Sequence, residues 1–87
     1  MNARALVARN LRRLRVRRGL SQESLAVDAE IDRSYMSRLE RALENPTIAV
    51  LERLAGALDV QIAEFFVVPR RGEPVPQPLR GGRRPKQ

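Results

Sequence analysis

Apolar side chains recur at helical spacing through residues 1–66, and this periodicity most limits how the chain can fold. In the first segment, Val7, Leu11 and Leu14 follow one another at i, i+4 and i+7. Residues that favour helix ends and helix starts, such as Gly19 and Ser21, separate this segment from the next. The pattern predicts an all-α fold of five helices with short connections.

The helix starts can be assigned from capping residues. The first helix covers about residues 2–18, the second begins after Ser21, the third after Asp32, and the fourth after Thr47 or Asn45. A last short helix holds Ile62, Phe65 and Phe66. The core residues expected in the second, third and fourth helices are Leu25, Ala26, Ala29, Met36, Leu39, Ile48, Leu51, Leu54, Ala55 and Leu58.

The composition changes at about Pro69. Residues 69–87 are rich in Pro, Gly and Arg and lack the apolar residues of a core, so we expect a disordered basic tail after a compact domain of residues 1–68. Residues 67–87 contain six basic residues and one acidic residue, whereas residues 1–66 have a net charge of only +2. The basic surplus therefore lies mainly in the tail, which is expected to bind phosphate groups, to bind a protein partner, or only to aid solubility.

The residue types present exclude several classes of protein. The chain has no Cys and no His, so disulfides, thiolate or imidazole metal ligands and the usual nucleophile–base pairs are absent; we expect no metal and no enzymatic activity. No apolar run approaches the roughly 20 residues of a membrane span, and arginines interrupt any signal-peptide core. A cytoplasmic, nucleoid-associated protein is expected, and for so small a domain oligomerisation is the remaining means of stabilisation.

The second and third helices have the form of a helix-turn-helix. Two short helices joined by a turn of a few residues need small side chains where they cross, and Ala26 and Ala29 supply them. The third helix also needs a polar outer face. It has one opposite Met36 and Leu39, formed by Arg33, Ser34, Ser37, Arg38 and Arg41.

The stretch from residue 18 to residue 60 resembles the Cro-like (Xre-type) helix-turn-helix family, and is most similar to small phage repressors and restriction-modification controller proteins. The matching features are GLSQ before the second helix, LA within it, DRSYMSRLER in the third, ENPT in the loop, and LERLAGALDV with FF after it. Together with Leu11 to Arg18 they cover roughly residues 5–66, with the helix-turn-helix at about 21–42. The resemblance implies a five-helix phage-repressor-like domain, a double-stranded DNA ligand, no cofactor and usually a two-fold dimer.

The resemblance also implies roles for individual residues. The positions that face base edges are Arg33, Ser34, Ser37 and Arg38, and those that contact the DNA backbone are Gln22, Tyr35, Arg41 and Asn45. Gln22 is also expected to brace the third helix. Because an arginine can donate two hydrogen bonds to guanine O6 and N7, we expect G·C pairs in each half-site under Arg33 and Arg38.

The chain departs from the family pattern at two positions. Glu30 stands where the turn commonly has Gly, and Ala42 stands where Gly commonly follows the third helix. Either the turn at Glu30 has a different shape, or the chain tolerates a left-handed residue at a cost of roughly 1 kcal/mol. A separate cluster of arginines in the first helix points around the helix and is expected to act through long-range electrostatics: Arg12, Arg13, Arg15, Arg17 and Arg18.

The apolar end of the domain suggests how two copies associate. Phe65 to Val68 form an apolar run that is large for so small a monomer, so we expect Phe65 in the core and Phe66 or Val68 in a dimer interface. The function expected is a transcriptional regulator that binds a palindromic operator as a homodimer. The alternative is a protein-interaction module that sequesters a regulator or a toxin with the same fold and the basic tail.

Overall fold

The structure is a computed structural model that describes residues 1–70, 72 and 74–76. Over these residues it has four α-helices and one short 3₁₀ helix: α1 (Ala3–Arg17), α2 (Gln22–Ala29), α3 (Arg33–Glu40), α4 (Ile48–Leu58) and the 3₁₀ helix (Ile62–Phe66). The all-α class is confirmed, and the fifth predicted helix is of the 3₁₀ type. None of the helices in this described part has the length and apolar character needed to cross a bilayer.

Each α-helix begins at a side-chain cap. Ser21, Asp32 and Thr47 accept hydrogen bonds from the backbone N–H three residues further on, as predicted for the first two. Thr47, and not Asn45, is therefore the cap of α4. Asn2, predicted within the first helix, is its cap: its Oδ1 accepts from the N–H of Ala5 at 2.9 Å.

All four α-helices end in the same way, with a left-handed residue and two backbone hydrogen bonds across the last turn. At the end of α3, the N–H of Leu43 donates to the carbonyl of Arg38 at 3.0 Å, and the N–H of Ala42 to that of Leu39 at 3.1 Å. The left-handed residues of the four ends are Gly19 (φ 72°), Glu30 (φ 59°), Ala42 (φ 62°) and Asp59 (φ 57°). The turn at Glu30 therefore keeps the left-handed shape without a glycine.

The core gathers the apolar faces of all four α-helices, with Phe65 of the 3₁₀ helix fully buried among them. Val7, Leu11 and Leu14 are buried as predicted, and so are the core residues predicted in α2, α3 and α4, apart from one. Ile48 was expected in the core and is 64% exposed. That prediction is wrong because α4 begins at Ile48, where no neighbouring element covers the side chain.

A buried ion pair joins α1 to α3. The Nε of Arg15 donates to Glu40 Oε2 at 2.5 Å, and its Nη2 donates to Glu40 Oε1 at 2.9 Å. The Nη1 of Arg15 also donates to the carbonyl of Leu20 at 2.8 Å. The side chains of Arg15 and Glu40 are 6% and 0% exposed. Arg15 was expected to act through the long-range field of the first helix; that is wrong, because its charge is enclosed and paired.

Asn10 of α1 holds the C-terminal end of the domain in place. Its buried side-chain amide donates to the carbonyls of Phe65 and Val67, both at 2.9 Å. These bonds anchor the backbone on either side of Phe66, whose own side chain is 44% exposed. Most of the predicted disordered tail, residues 69–87, lies outside the described residues. Within them, the carbonyl of Pro74 accepts a hydrogen bond from Arg9 at 2.9 Å.

Candidate nucleic-acid interface

The sequence places α2 and α3 in the order and at the separation of a helix-turn-helix. Only residues 30–32 connect them, because the left-handed Glu30 ends α2 and Asp32 already caps α3. Ala26 and Ala29 are both 2% exposed, as expected of small residues where two helices pack together. This short connection fixes which side of α3 faces outward.

The outward side of α3 is polar and continuous. Met36 and Leu39 are 0% and 1% exposed, so the helix has one side that is enclosed by the core. The opposite side lines a shallow depression of about 330 Å³, and its residues are those predicted to lie near DNA: Arg33, Ser34, Ser37, Arg38 and Arg41. Arg33, Ser34, Arg38 and Arg41 are exposed and Ser37 is half-buried. The structure thus brings together the four residues predicted to contact bases.

Positive charge dominates this depression. Among the described residues, neither Arg33 nor Arg41 forms a salt bridge. Arg38 does, since its Nε donates to Glu44 Oε2 at 2.6 Å. Three guanidinium groups and one carboxylate at this surface leave a positive surplus that favours a polyanion.

Gln22 connects α2 to the buried pair beneath α3. Its Nε2 donates to Glu40 Oε1 at 3.1 Å, and the Nε of Arg12 approaches the same oxygen at 3.4 Å. Glu40 therefore accepts from α1 and from α2 while belonging to α3, which limits how far α3 can tilt. This hydrogen bond supplies the bracing that was expected of Gln22, and its contact with the DNA backbone stays a prediction.

Tyr35 and Asn45 lie at the edges of the same surface. Tyr35 is half-buried against the core, and Asn45 is exposed in the loop before α4. Burial raises the pKa of the Tyr35 hydroxyl, the Glu44 carboxylate raises it further, and Arg38 lowers it. Tyr35 thus keeps its proton at neutral pH and can donate a hydrogen bond to a phosphate oxygen.

Three residues that support this surface were not predicted in the roles that the structure gives them: Arg15, Glu40 and Glu44. Two of them carried a detectable signal. Arg15 follows Leu11 at i+4, and Glu40 follows Met36 at i+4, so each charge stands on the apolar side of its helix. A charge at such a position is rarely buried without a partner. Glu44 had no comparable signal, because its position depends on the loop.

The chain is similar in sequence to known helix-turn-helix proteins. The model of the helix-turn-helix domain family matches residues 6–65. A hypothetical transcription factor of Neisseria meningitidis is 39% identical over 67 residues, which are 77% of this chain and 63% of that protein. The immunity repressor of Bacillus phage phi105 is 39% identical over 57 residues, which are 66% of this chain and 40% of the repressor. The chain thus spans less than two thirds of the length of either relative.

Solved structures of restriction-modification controller proteins resemble this fold closely. The controller C.AhdI from Aeromonas hydrophila has a TM-score of 0.71 and 40% identity, over 72% of this chain and 96% of the controller. The controller C.Esp1396I, as a tetramer in complex with its natural 35 base-pair operator, has a TM-score of 0.69 and 33% identity, over 76% of this chain and 87% of that one. The similarity to phage repressors and controller proteins that the sequence predicted is confirmed.

Proposed function

The chain belongs to the Cro-like helix-turn-helix family, and on this basis we propose that it is a transcriptional regulator that binds double-stranded DNA sequence-specifically as a homodimer. One observation carries the proposal. The outward side of α3 is a positively charged depression lined by Arg33, Ser34, Ser37, Arg38 and Arg41. The DNA complex of the controller C.Esp1396I, which is similar over 76% of this chain, supports the same ligand.

In the proposed complex, α3 lies in the major groove. With its side chains an α-helix is about 10–12 Å across, which fits the width of that groove, roughly 12 Å in B-DNA. Arg33 and Arg38 each donate two hydrogen bonds to a guanine, and Ser34 and Ser37 contact neighbouring base edges. Each such arginine contact discriminates by about 1–3 kcal/mol against the wrong base pair.

The remaining site residues hold the protein on the DNA backbone. Tyr35 lies on α3, Arg41 caps its end and Asn45 lies in the loop after it, and all three contact phosphates on one side of the groove. Gln22 stands in the first turn of α2, where backbone N–H groups lack helical acceptors and favour an anion. These contacts set the register of α3 without specifying sequence.

A two-fold dimer presents two copies of α3 to one face of the duplex. The exposed apolar surface that supports it is contiguous in sequence: Phe66 and Val67 are 44% and 43% exposed, and Val68 is 73% exposed. Since Asn10 fixes the backbone on both sides of Phe66, this surface is held rigidly enough to pack against its own copy. The half-sites of the operator are then about 34 Å apart, one turn of the helix.

Selection of bound fragments from genomic DNA tests the proposal. At about 150 mM salt, which suppresses non-specific phosphate binding, we expect a pseudo-palindrome with G·C pairs in each half-site. Arg38→Ala should lose the preference at one position of each half-site. Arg53→Ala is the matched control, because Arg53 is an exposed arginine of α4 outside the depression. Failure to enrich any sequence would refute the proposed function.

A further inference from the structure

Arg38, one of the two arginines proposed to contact guanine, is already held by a carboxylate in the free protein. Its Nε donates to Glu44 Oε2 at 2.6 Å. The pair lies at the surface, with the side chains of Arg38 and Glu44 44% and 25% exposed. Neither Arg33 nor Arg41 has such a partner among the described residues, so the pairing singles out one arginine of the depression.

The geometry of the chain after α3 explains how Glu44 reaches Arg38. The left-handed Ala42 and the hydrogen bond from the N–H of Leu43 to the carbonyl of Arg38 (3.0 Å) reverse the chain direction. Glu44 therefore returns alongside the last turn of α3, six positions after Arg38 in sequence. The backbone between the two residues is thus held by hydrogen bonds of one turn, so the contact joins two neighbouring positions and not two separate segments.

We propose that Glu44 is a positioning residue that makes Arg38 discriminate between bases, an inference that rests on the proposed function. The carboxylate contacts the Nε of Arg38 and leaves the two terminal nitrogens, Nη1 and Nη2, for the guanine O6 and N7. A free arginine side chain loses rotamer entropy when it binds one base edge. In this protein Glu44 restricts the Arg38 side chain before DNA binds. It also leaves the Nη1 and Nη2 atoms of the guanidinium facing the base.

The same carboxylate weakens contacts that carry no sequence information. Glu44 places a negative charge beside Tyr35 and Arg38, at a surface that approaches phosphates. Its influence reaches Tyr35, where burial and then the Glu44 carboxylate raise the pKa of the hydroxyl while Arg38 lowers it. Because Glu44 occupies Nε, Arg38 is also less free to turn toward a phosphate. Glu44 therefore lowers non-specific affinity while it sharpens the choice of base.

Four proteins test this inference: wild type, Glu44→Gln, Arg38→Ala and the double variant. Asp59→Asn is the matched control, because it removes the same charge at a left-handed position that Asn tolerates and lies in a separate depression with Arg17 and Gln61. Dissociation constants are measured for the selected operator, for operators with each base pair under Arg38, and for unrelated DNA over a range of salt. Thermal unfolding establishes that every variant is folded.

We expect Glu44→Gln to reduce the guanine discrimination at that position by about 2- to 10-fold, the equivalent of one immobilised side chain. We also expect it to bind unrelated DNA more tightly, with a slope of log K against log salt that is steeper by about one. Asp59→Asn should change neither quantity. In the Arg38→Ala background, Glu44→Gln should leave base discrimination unaltered, because the residue acts through the arginine.

Three results would overturn the inference, and they can be told apart. If wild type discriminates and Glu44→Gln discriminates equally well, the carboxylate charge of Glu44 does not position Arg38; the inference fails and the proposed function stands. If Glu44→Gln changes discrimination by the same factor without Arg38, the carboxylate contacts a base itself, for example cytosine N4. If wild type binds all sequences alike, the proposed function fails first, and the inference fails with it.

Discussion

Replacing Glu40 with alanine is expected to cost about 3–5 kcal/mol of the free energy of unfolding, the range for a buried ion pair that loses one partner. Glu40 belongs to α3, yet it accepts hydrogen bonds from Arg15 and Arg12 of α1 and from Gln22 of α2. The substitution removes the acceptor and leaves a guanidinium charge in the core. The destabilisation therefore comes mainly from the buried guanidinium of Arg15, which has lost its partner.

The size of this destabilisation depends on which of the arginine donors can hydrogen-bond to water once Glu40 is removed. The Arg15 side chain is 6% exposed, so its two hydrogen bonds to Glu40 (2.5 and 2.9 Å) cannot be replaced by solvent. At about 1.5–3 kcal/mol for each bond to a charged group, they account for the whole of the expected loss. Arg12 is 32% exposed and adds little. The free energy of unfolding of a domain of this size is about 4–10 kcal/mol in total, so the variant should be largely unfolded in mild denaturant.

Urea denaturation followed by circular dichroism measures the loss, at one fixed protein concentration because dimerisation adds to apparent stability. Glu52→Ala, at an exposed position of α4, is the control and should stay within about 0.5 kcal/mol of wild type. A second variant, Arg15→Met with Glu40→Leu, removes both charges and should regain most of the stability. A loss below about 1 kcal/mol for Glu40→Ala, with an unchanged denaturant slope, would show that this charge pair is not desolvated.

Three further changes test other parts of the molecule. Glu30→Gly should raise the free energy of unfolding by about 1 kcal/mol, since glycine adopts the left-handed conformation (φ 59°) without strain; chemical denaturation measures the gain. Phe66→Ser should convert the proposed dimer into a folded monomer, as sedimentation and circular dichroism would report. Ending the chain after Pro76 removes four basic residues. It should weaken binding to all DNA sequences alike. The slope of log K against log salt concentration should become shallower by at most about four.

Each of these three predictions has an outcome that would contradict it. A Glu30→Gly protein that is less stable than wild type would mean that the glutamate side chain contributes more than the backbone strain costs. A Phe66→Ser protein that still sediments as a dimer would place the interface elsewhere. An unchanged salt dependence after truncation would show that residues 77–87 do not contact phosphate.

The helices were predictable because their signals are local. A cap such as Ser21 or Asp32 bonds to the N–H three residues away, and a left-handed residue such as Gly19 closes its own turn. Such interactions need no distant partner, so the predicted boundaries agree with the structure to within one or two residues for most elements. The error at Ile48 arises where this reasoning stops: spacing assigned it to a side of the helix, but the neighbouring elements decide whether that side is covered.

The candidate site was predictable to the same degree. Met36 and Leu39 fix the inward side of α3, so the sequence places Arg33 and Arg38 on the outward side. Whether an outward arginine is free or held is not a property of its helix. The contact between Arg38 and Glu44 depends on the conformation of the loop after Ala42, which neither residue determines.

The all-α class, the starts and ends of the helices, and the polar side of α3 therefore follow from local sequence patterns. Which polar groups meet in the interior depends instead on the packing of the helices. Arg15 and Glu40 are 25 positions apart, and Asn10 and Phe65 are 55 apart. Periodicity shows that such a residue stands on a buried side, but its partner depends on how the helices pack. That packing results from apolar burial over the whole domain, which no local pattern of residues records.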